Sequence, residues 1–215
     1  MGEGTLTTIA RSETSMSTSR PGWSDSALGT PIRDEVELRE LVEHPHPVMR
    51  DKGIAAVDEQ SRRFLEAATF YLLATTAADG SVDVSPRGDP AGSVLVLDER
   101  TIAFPDRPGN RRADSLRNLL QHPRAGMVFI VPGRHDVLRV NGRATPVRDA
   151  PFAHRFGDPA PAVAVVLEVE ELFVHCGQAL RRSSAWDPGG WPAEDALPNV
   201  AELFESQQTW LRAQA

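Results

Sequence analysis

The feature that most constrains the fold is a succession of short β-prone segments between Phe70 and His175, separated by turn signals and interrupted once by a helical pattern. Phe70–Thr76 (FYLLATT) is a continuous apolar run, and Ala78-Asp79-Gly80 after it reads as a tight turn. Ser81–Ser85 alternates, with Val82 and Val84 on one face. Ser93–Leu97 (SVLVL) and Thr101–Phe104 (TIAF) flank a turn at Asp98-Glu99-Arg100. Ala125–Val131, Val137–Pro146 and Val163–His175 complete the set. Six or seven strands in meander order, with one helix inserted, do not make the regular strand–helix alternation of a doubly wound sheet. The pattern predicts a mainly β domain with peripheral helices, its antiparallel strands closed or nearly closed into a barrel.

The inserted stretch, Phe104–Pro123 (FPDRPGNRRADSLRNLLQHP), reads as a strand end, a Gly-containing turn and an amphipathic helix. Asn110 is the expected N-cap, Ala113, Leu116, Leu119 and Leu120 the apolar stripe, and Pro123 the stop. This reading puts Arg111 and Arg112 in the first helical turn, where the macrodipole disfavours cations by roughly 0.3–1 kcal/mol each. Two readings follow. The arginines and free N–H groups hold an anion such as a phosphate, or the arginines pair with Asp106 or Asp114.

Chain length and charge narrow the class. The 215 residues, 40 % hydrophobic and 25 % charged, suffice for one sizeable core. A net charge of −7 argues against a general nucleic-acid binder, which needs a basic face. A local basic cluster on an acidic chain suits a small anionic ligand. The single cysteine, Cys176, leaves no internal disulfide framework and fits a reducing cytoplasm; it is expected to be buried and inert. No apolar run approaches the roughly 20 residues of a membrane span, and the first residues lack a secretory h-region.

Residues 1–30, rich in Ser, Thr and Gly, read as a loosely attached tail. Asp34–Glu43 is an expected helix with Val36, Leu38, Leu41 and Val42 as its apolar set. Asp58 to about Thr69 is a second, placing Phe64, Leu65 and Ala68 on one side. His44 and His46 flank Pro45 but have no third ligand in view, so no metal site is expected. Residues 31–190 are expected to form the barrel domain with its N-terminal helices, and 191–215 a C-terminal helical extension. The last helix, about Val200–Ala213, is expected to pack on the barrel or on a partner.

Four segments can carry chemistry. Val84–Gly92 (VSPRGDPAG), with two prolines and two glycines, is expected to be an irregular connection. Its free backbone groups, from Ser85, Pro86, Arg87, Gly88 and Asp89, would suit a planar heterocycle; the alternative is a hairpin loop with an Arg87–Asp89 ion pair. The helix start from Asp106 to Arg112 is the second. Leu138–Arg143 (LRVNGR) puts Arg139 and Asn141 on one strand face. His175–Trp186 (HCGQALRRSSAW) ends a strand and carries Arg181, Arg182, Ser183 and Trp186; adjacent His175 and Cys176 point to opposite faces and make no nucleophilic dyad.

In this order, VSPRGDPAG, FPDRPGNRRADSLRNLLQHPRAGMVF, LRVNGRA and HCGQALRRSSAW resemble the pyridoxamine 5′-phosphate oxidase-like family of FMN-binding proteins. The resemblance covers about residues 35–190. It implies a six-stranded antiparallel split β-barrel, a homodimer, and FMN at the dimer interface. It also implies that Asn110, Arg111 and Arg112 grip the FMN phosphate and that Ser85–Asp89 lie along the isoalloxazine. Arg139, Arg181, Ser183 and Trp186 would complete the pocket from the other subunit. There are departures: Gln178 stands where related chains often carry Lys, and the C-terminal Trp and Arg context that holds the oxidase substrate is missing. The expected activity is thus an FMN-dependent oxidoreductase of small molecules with an unassigned substrate, Arg87 being the best candidate for a substrate- or ring-polarising charge. A deazaflavin-dependent reductase and a non-catalytic flavin or haem binder are the rival readings.

Overall fold

A computed structural model describes residues 29–214, so the expected N-terminal tail lies, apart from its last two residues, outside the described residues. The chain divides into two compact units, one ending at Met49 and one running from Arg50. The first carries α1 (Glu35–Leu41), whose Asp34 side chain caps the helix by accepting from the Glu37 N–H; Val36 and Leu41 of its expected apolar set are exposed. A single helical turn, α2 (Pro47–Arg50), spans the boundary, and His44 and His46 are exposed.

The second unit begins with α3 (Glu59–Ala67), capped by Asp58 through the Ser61 N–H, with Leu65 and Ala68 fully buried. The strands are β1 (Phe70–Thr76), β2 (Val82–Gly88), β3 (Leu95–Asp98), β4 (Thr101–Pro105), β5 (Arg124–Ile130), β6 (Val137–Val147) and β7 (Ala164–His175). They form one antiparallel sheet in the order β2-β1-β5-β6-β7-β4-β3, with α4 (Asp114–Gln121) between β4 and β5. The sheet has seven strands, within the six or seven read from the pattern and one more than the six the resemblance implies, and β2 and β3 are its two edges. Period-2 alternation sends one side of each strand inward. Tyr71 and Leu73, Met127 and Phe129, Leu138 and Val140, and Ile102 and Phe104 thereby form, with Leu167 and Leu172 of β7 and Leu65 of α3, the main core.

The two halves of the sheet meet along the long β6–β7 pair. The register slips there between Asn141 and Gly142, a bulge that bends the pair. Glycine is required at this point, because a Cβ on residue 142 would lie 2.0 Å from the Glu168 carbonyl oxygen.

Strand β2 corrects one expectation. Ser85–Gly88 are not an irregular connection but strand residues paired with β1, Leu72 opposite Pro86 and Phe70 opposite Gly88. An edge strand has one unpaired side, so proline is tolerated there. The valines point outward, Val82 being 70 % and Val84 58 % exposed, and the polar set Asp83, Ser85 and Arg87 faces inward, opposite Thr75, Leu73 and Tyr71.

Downstream of β7 come α5 (Gln178–Arg182) and, after two short 3-10 turns, α6 (Val200–Gln214). Of the two expectations for the last helix, packing on the barrel is not found: Leu203, Phe204, Trp210 and Leu211 are exposed, and no residue of α6 is buried within the chain. Cys176, expected to be buried, is also exposed, because the strand has already ended at His175.

Candidate cofactor cleft

The inward face of β2 is polar because α4 covers it with polar side chains. Ser115 and Asn118, on the first turns of α4, are buried beside Leu119. The Asn118 amide donates to Thr75 Oγ1 at 3.0 Å, and Ser115 Oγ donates to Asp83 Oδ2 at 2.7 Å. Ser85 Oγ donates to the same carboxylate at 3.0 Å. Arg87 then donates to Ser115 Oγ at 3.2 Å and to the Pro86 carbonyl at 3.0 Å. A chain of hydrogen bonds from Asp83 through Ser115 thus orients the Arg87 guanidinium. Leu120, assigned to the apolar stripe by spacing, is 75 % exposed, since the helix buries the face of Ser115, Asn118 and Leu119.

Beyond Arg87 opens a cleft of about 490 Å³ lined by Tyr71, Ser85–Asp89 and Pro105–Ser115. The segment before α4 differs from the sequence expectation. The N-cap is Ala113, with φ 54° and no side-chain cap, and α4 begins at Asp114. Asn110 instead closes a turn by accepting from the Arg112 N–H at 3.0 Å. Arg111 and Arg112 therefore precede the helix and do not occupy its first turn. Arg111 also has a positive φ, 63°. Left-handed non-glycine residues cost of order 1–3 kcal/mol each and cluster at functional loops.

Charge accounting around the cleft separates structural from available groups. Asp114 pairs with Arg112 at 2.7 Å, which realises one of the two partners foreseen for these arginines. Asp89 pairs with Arg107 at 2.9 Å and not with Arg87; Arg107 also donates to the Phe156 carbonyl at 2.8 Å. Asp83 is occupied by two hydroxyls. Arg87 and Arg111 have no carboxylate partner among the described residues, and the N–H groups of Gly109, Asn110 and Arg111 have no acceptor among them. The Asp89 N–H, by contrast, is taken by the Thr69 carbonyl. Asp106 is half-buried between this cleft and a neighbouring cavity of about 720 Å³; burial raises its carboxyl above the usual range, against the pull of Arg87.

Of the residues foreseen from sequence, Ser85–Asp89 and Asn110–Arg112 come together on this one cleft. Arg139, Arg181, Ser183 and Trp186 do not line it within the chain. Arg139 lies on the outer face of β6, 4.9 Å over the Phe173 ring, Arg181 and Ser183 are exposed on or just after α5, and the Trp186 indole donates to the Arg134 carbonyl at 2.7 Å. Tyr71, Asp83 and Ser115 were not foreseen, and Arg107 fell within the Asp106–Arg112 segment without being singled out. The period-2 polar set Asp83, Ser85 and Arg87 was the available signal, masked by the valines between them.

Residues 57–176, more than half of the chain, match the family model described as pyridoxamine 5′-phosphate oxidase. The chain belongs to the pyridoxamine 5′-phosphate oxidase-like family. No curated protein matches it. Solved structures of similar fold include a candidate pyridoxamine 5′-phosphate oxidase from Lactobacillus delbrueckii, with 24% identity, TM-score 0.44, and 56% of this chain against 95% of that one. An FMN-binding protein from Syntrophomonas wolfei gives 12% identity, TM-score 0.39, and 54% against 88%. HutZ, the heme storage protein from Vibrio cholerae, gives 20% identity, TM-score 0.40, and 55% against 94%. Membership in the pyridoxamine 5′-phosphate oxidase-like family rests on the sequence match. No helix among the described residues is long and apolar enough to cross a membrane, and no three potential metal-ligating side chains gather among them.

Proposed function

We propose that the chain is an FMN-dependent oxidoreductase acting on a small molecule, with FMN in the cleft between β2 and the loop before α4. One observation carries this reading: two guanidinium groups without carboxylate partners, Arg87 and Arg111, share a cleft with backbone N–H groups that have no acceptor. That donor set suits a ligand with an anionic end and an acceptor-rich body. Arg111, with Arg112 and the N–H groups of Gly109 and Asn110, would hold the phosphate. The inward side of Ser85–Asp89 would lie along the ring. FMN, when bound, supplies hydride or electron transfer.

The chain's own residues do the rest. The Asp83–Ser115 hydrogen bonds hold Arg87 in a fixed orientation, so its positive charge costs no reorganisation when negative charge develops nearby. The Arg107–Asp89 pair fixes the wall between the cleft and the adjoining cavity, leaving Asp106 as the half-buried acid facing both.

The active form in this reading is a homodimer. The outer face of β1, β2, β5 and β6 carries Leu72, Ala74, Val84, Val128 and Val137 around a groove of about 430 Å³, which a second copy would cover. Arg139 lines the same groove, and Arg181, Ser183 and Trp186 from the second copy would complete the pocket.

The test is a titration of the purified protein with FMN, followed by Arg111→Ala combined with Arg112→Ala. Two lost charge-assisted contacts at about 1.5 kcal/mol each weaken binding on the order of 10²-fold while the fold remains. A double variant that holds FMN as tightly as the wild type overturns the phosphate assignment. A Soret band, or uptake of a deazaflavin in place of FMN, transfers the protein to one of the rival readings.

A further inference from the structure

Tyr71 is a buried side chain whose polar end faces the cleft. It is 2 % exposed, and its ring sits in an aromatic cluster, edge-on to Phe104 at 5.6 Å and tilted on Phe129 at 5.1 Å. Its hydroxyl makes no hydrogen bond to the described residues and is not sealed in the core: the residue lines the cleft, and the oxygen keeps its access to solvent there. Buried tyrosines usually bond their hydroxyl within the protein; this one leaves its donor free at the cleft surface, available to a ligand. Packing therefore explains the ring and not the oxygen.

Register supplies the second observation. Tyr71 lies directly opposite Arg87 in the β1–β2 pair, so both side chains rise from the same inward face. Arg87 is already oriented by the Ser115 hydroxyl and the Pro86 carbonyl, and it lacks a carboxylate. A neutral donor and a cationic donor thus stand side by side at the floor of one cleft.

We infer that Tyr71 is a ligand-contacting residue, its hydroxyl donating to an acceptor atom of the bound heterocycle next to Arg87. The inference rests on the FMN reading and adds to it a group outside the four sequence motifs. Burial pushes the phenol well above its ordinary pKa, more strongly than the neighbouring Arg87 and Arg107 lower it, so it remains a donor at neutral pH. A donor beside a fixed cation favours the ligand state that carries more negative charge. Tyr71 accordingly stabilises the reduced flavin more than the oxidised one.

The experiment compares the full-length wild type with Tyr71→Phe in three measurements: thermal melting without ligand, FMN affinity by fluorescence titration, and the flavin midpoint potential by dye equilibration. Tyr71→Phe is expected to melt at the same temperature or higher, to bind oxidised FMN several-fold more weakly, and to lose a further tenfold in the reduced state. That last factor lowers a two-electron potential by about 30 mV. FMN affinity within twofold of wild type at an unchanged potential overturns the inference while leaving the FMN reading intact. A variant that melts lower in proportion to its loss of affinity also overturns it, assigning the hydroxyl to folding. A wild type that takes up no FMN removes the cofactor reading, and the inference with it.

Discussion

The Arg107–Asp89 pair offers a test of sign as well as size. Arg107 belongs to the same basic segment as Arg111 and Arg112, and sequence alone does not separate a clamp from a phosphate ligand. Its Nε lies 2.9 Å from Asp89 Oδ2 and 3.1 Å from Oδ1, and Nη2 donates to the Phe156 carbonyl. The Asp89 side chain is 15 % exposed and that of Arg107 35 %. Arg107→Ala therefore leaves a largely buried carboxylate without its cation, at a cost of about 2–3 kcal/mol. Asp89→Ala leaves a more exposed guanidinium still bonded to Phe156, at a cost of about 1–2 kcal/mol after solvent relief. A double-mutant cycle by urea unfolding should show the two losses to be coupled, the double variant losing less than their sum. FMN affinity supplies the sign. If Arg107 is a clamp, both single variants bind more weakly because the wall beside Arg87 loosens. If it is a phosphate ligand held in reserve, Asp89→Ala frees it and binding tightens. A loss below about 0.5 kcal/mol for Arg107→Ala, or tighter binding by Asp89→Ala, refutes the clamp.

Three further outcomes are expected. Gly142→Ala drives a methyl group into the Glu168 carbonyl of the neighbouring strand and should destabilise the protein by about 3 kcal/mol or more, measured by urea unfolding; a loss under about 1 kcal/mol would mean that the bulge relaxes. Asp106 has its folded-state pKa raised by burial, so the native state binds more protons than the unfolded state and loses stability as pH rises through the carboxylate range. Asp106→Asn should remove that decline, matching the wild type in acid and equalling or exceeding it at neutral pH in melting curves taken across the range. Val84→Glu places a charge on the outer face of β2 and should convert the proposed dimer to monomers in sedimentation, with the monomer still folded; an unchanged dimer would move the interface elsewhere.

Strand and helix positions were legible wherever one physical cause dominated. The strands at Phe70–Thr76 and Arg124–Ile130, the second one residue from the expected Ala125–Val131, and the Asp58 cap of α3 fall where periodicity and capping put them. The misreadings share a different origin. Pro86 argued against a strand, but edge position removes the objection, and edge position is a property of the whole sheet order. Asn110 looked like a cap, yet its side chain closes a turn one step earlier, leaving Ala113 at the cap in a left-handed conformation. Leu120 was assigned by spacing to the buried face, but that face is mixed: Leu116 and Leu119 pack on the core, while Ser115 and Asn118 meet polar partners on β2 and β1. The cleft itself was half legible: the basic and Pro/Gly-rich motifs marked its rim. Its floor, Tyr71 and the Asp83–Ser115 pair, depends on cross-strand register and carries no local signature.

That division follows from how the sheet fails to close. β2 and β3 are left as edges, and the chain covers the first by laying α4 across it. Polar residues on both surfaces satisfy one another through Ser115 and Asn118 and leave Arg87 at the end of the network with donors to spare. Three of the nearby carboxylates are consumed locally, Asp83 by hydroxyls, Asp89 by Arg107 and Asp114 by Arg112. A chain of net charge −7 thereby exposes, at one point, arginines that its own acids do not neutralise. Positive charge held in place against the overall field is an arrangement that can concentrate and orient an anionic ligand, and the FMN reading proposed above would set the ring against Arg87 and Tyr71.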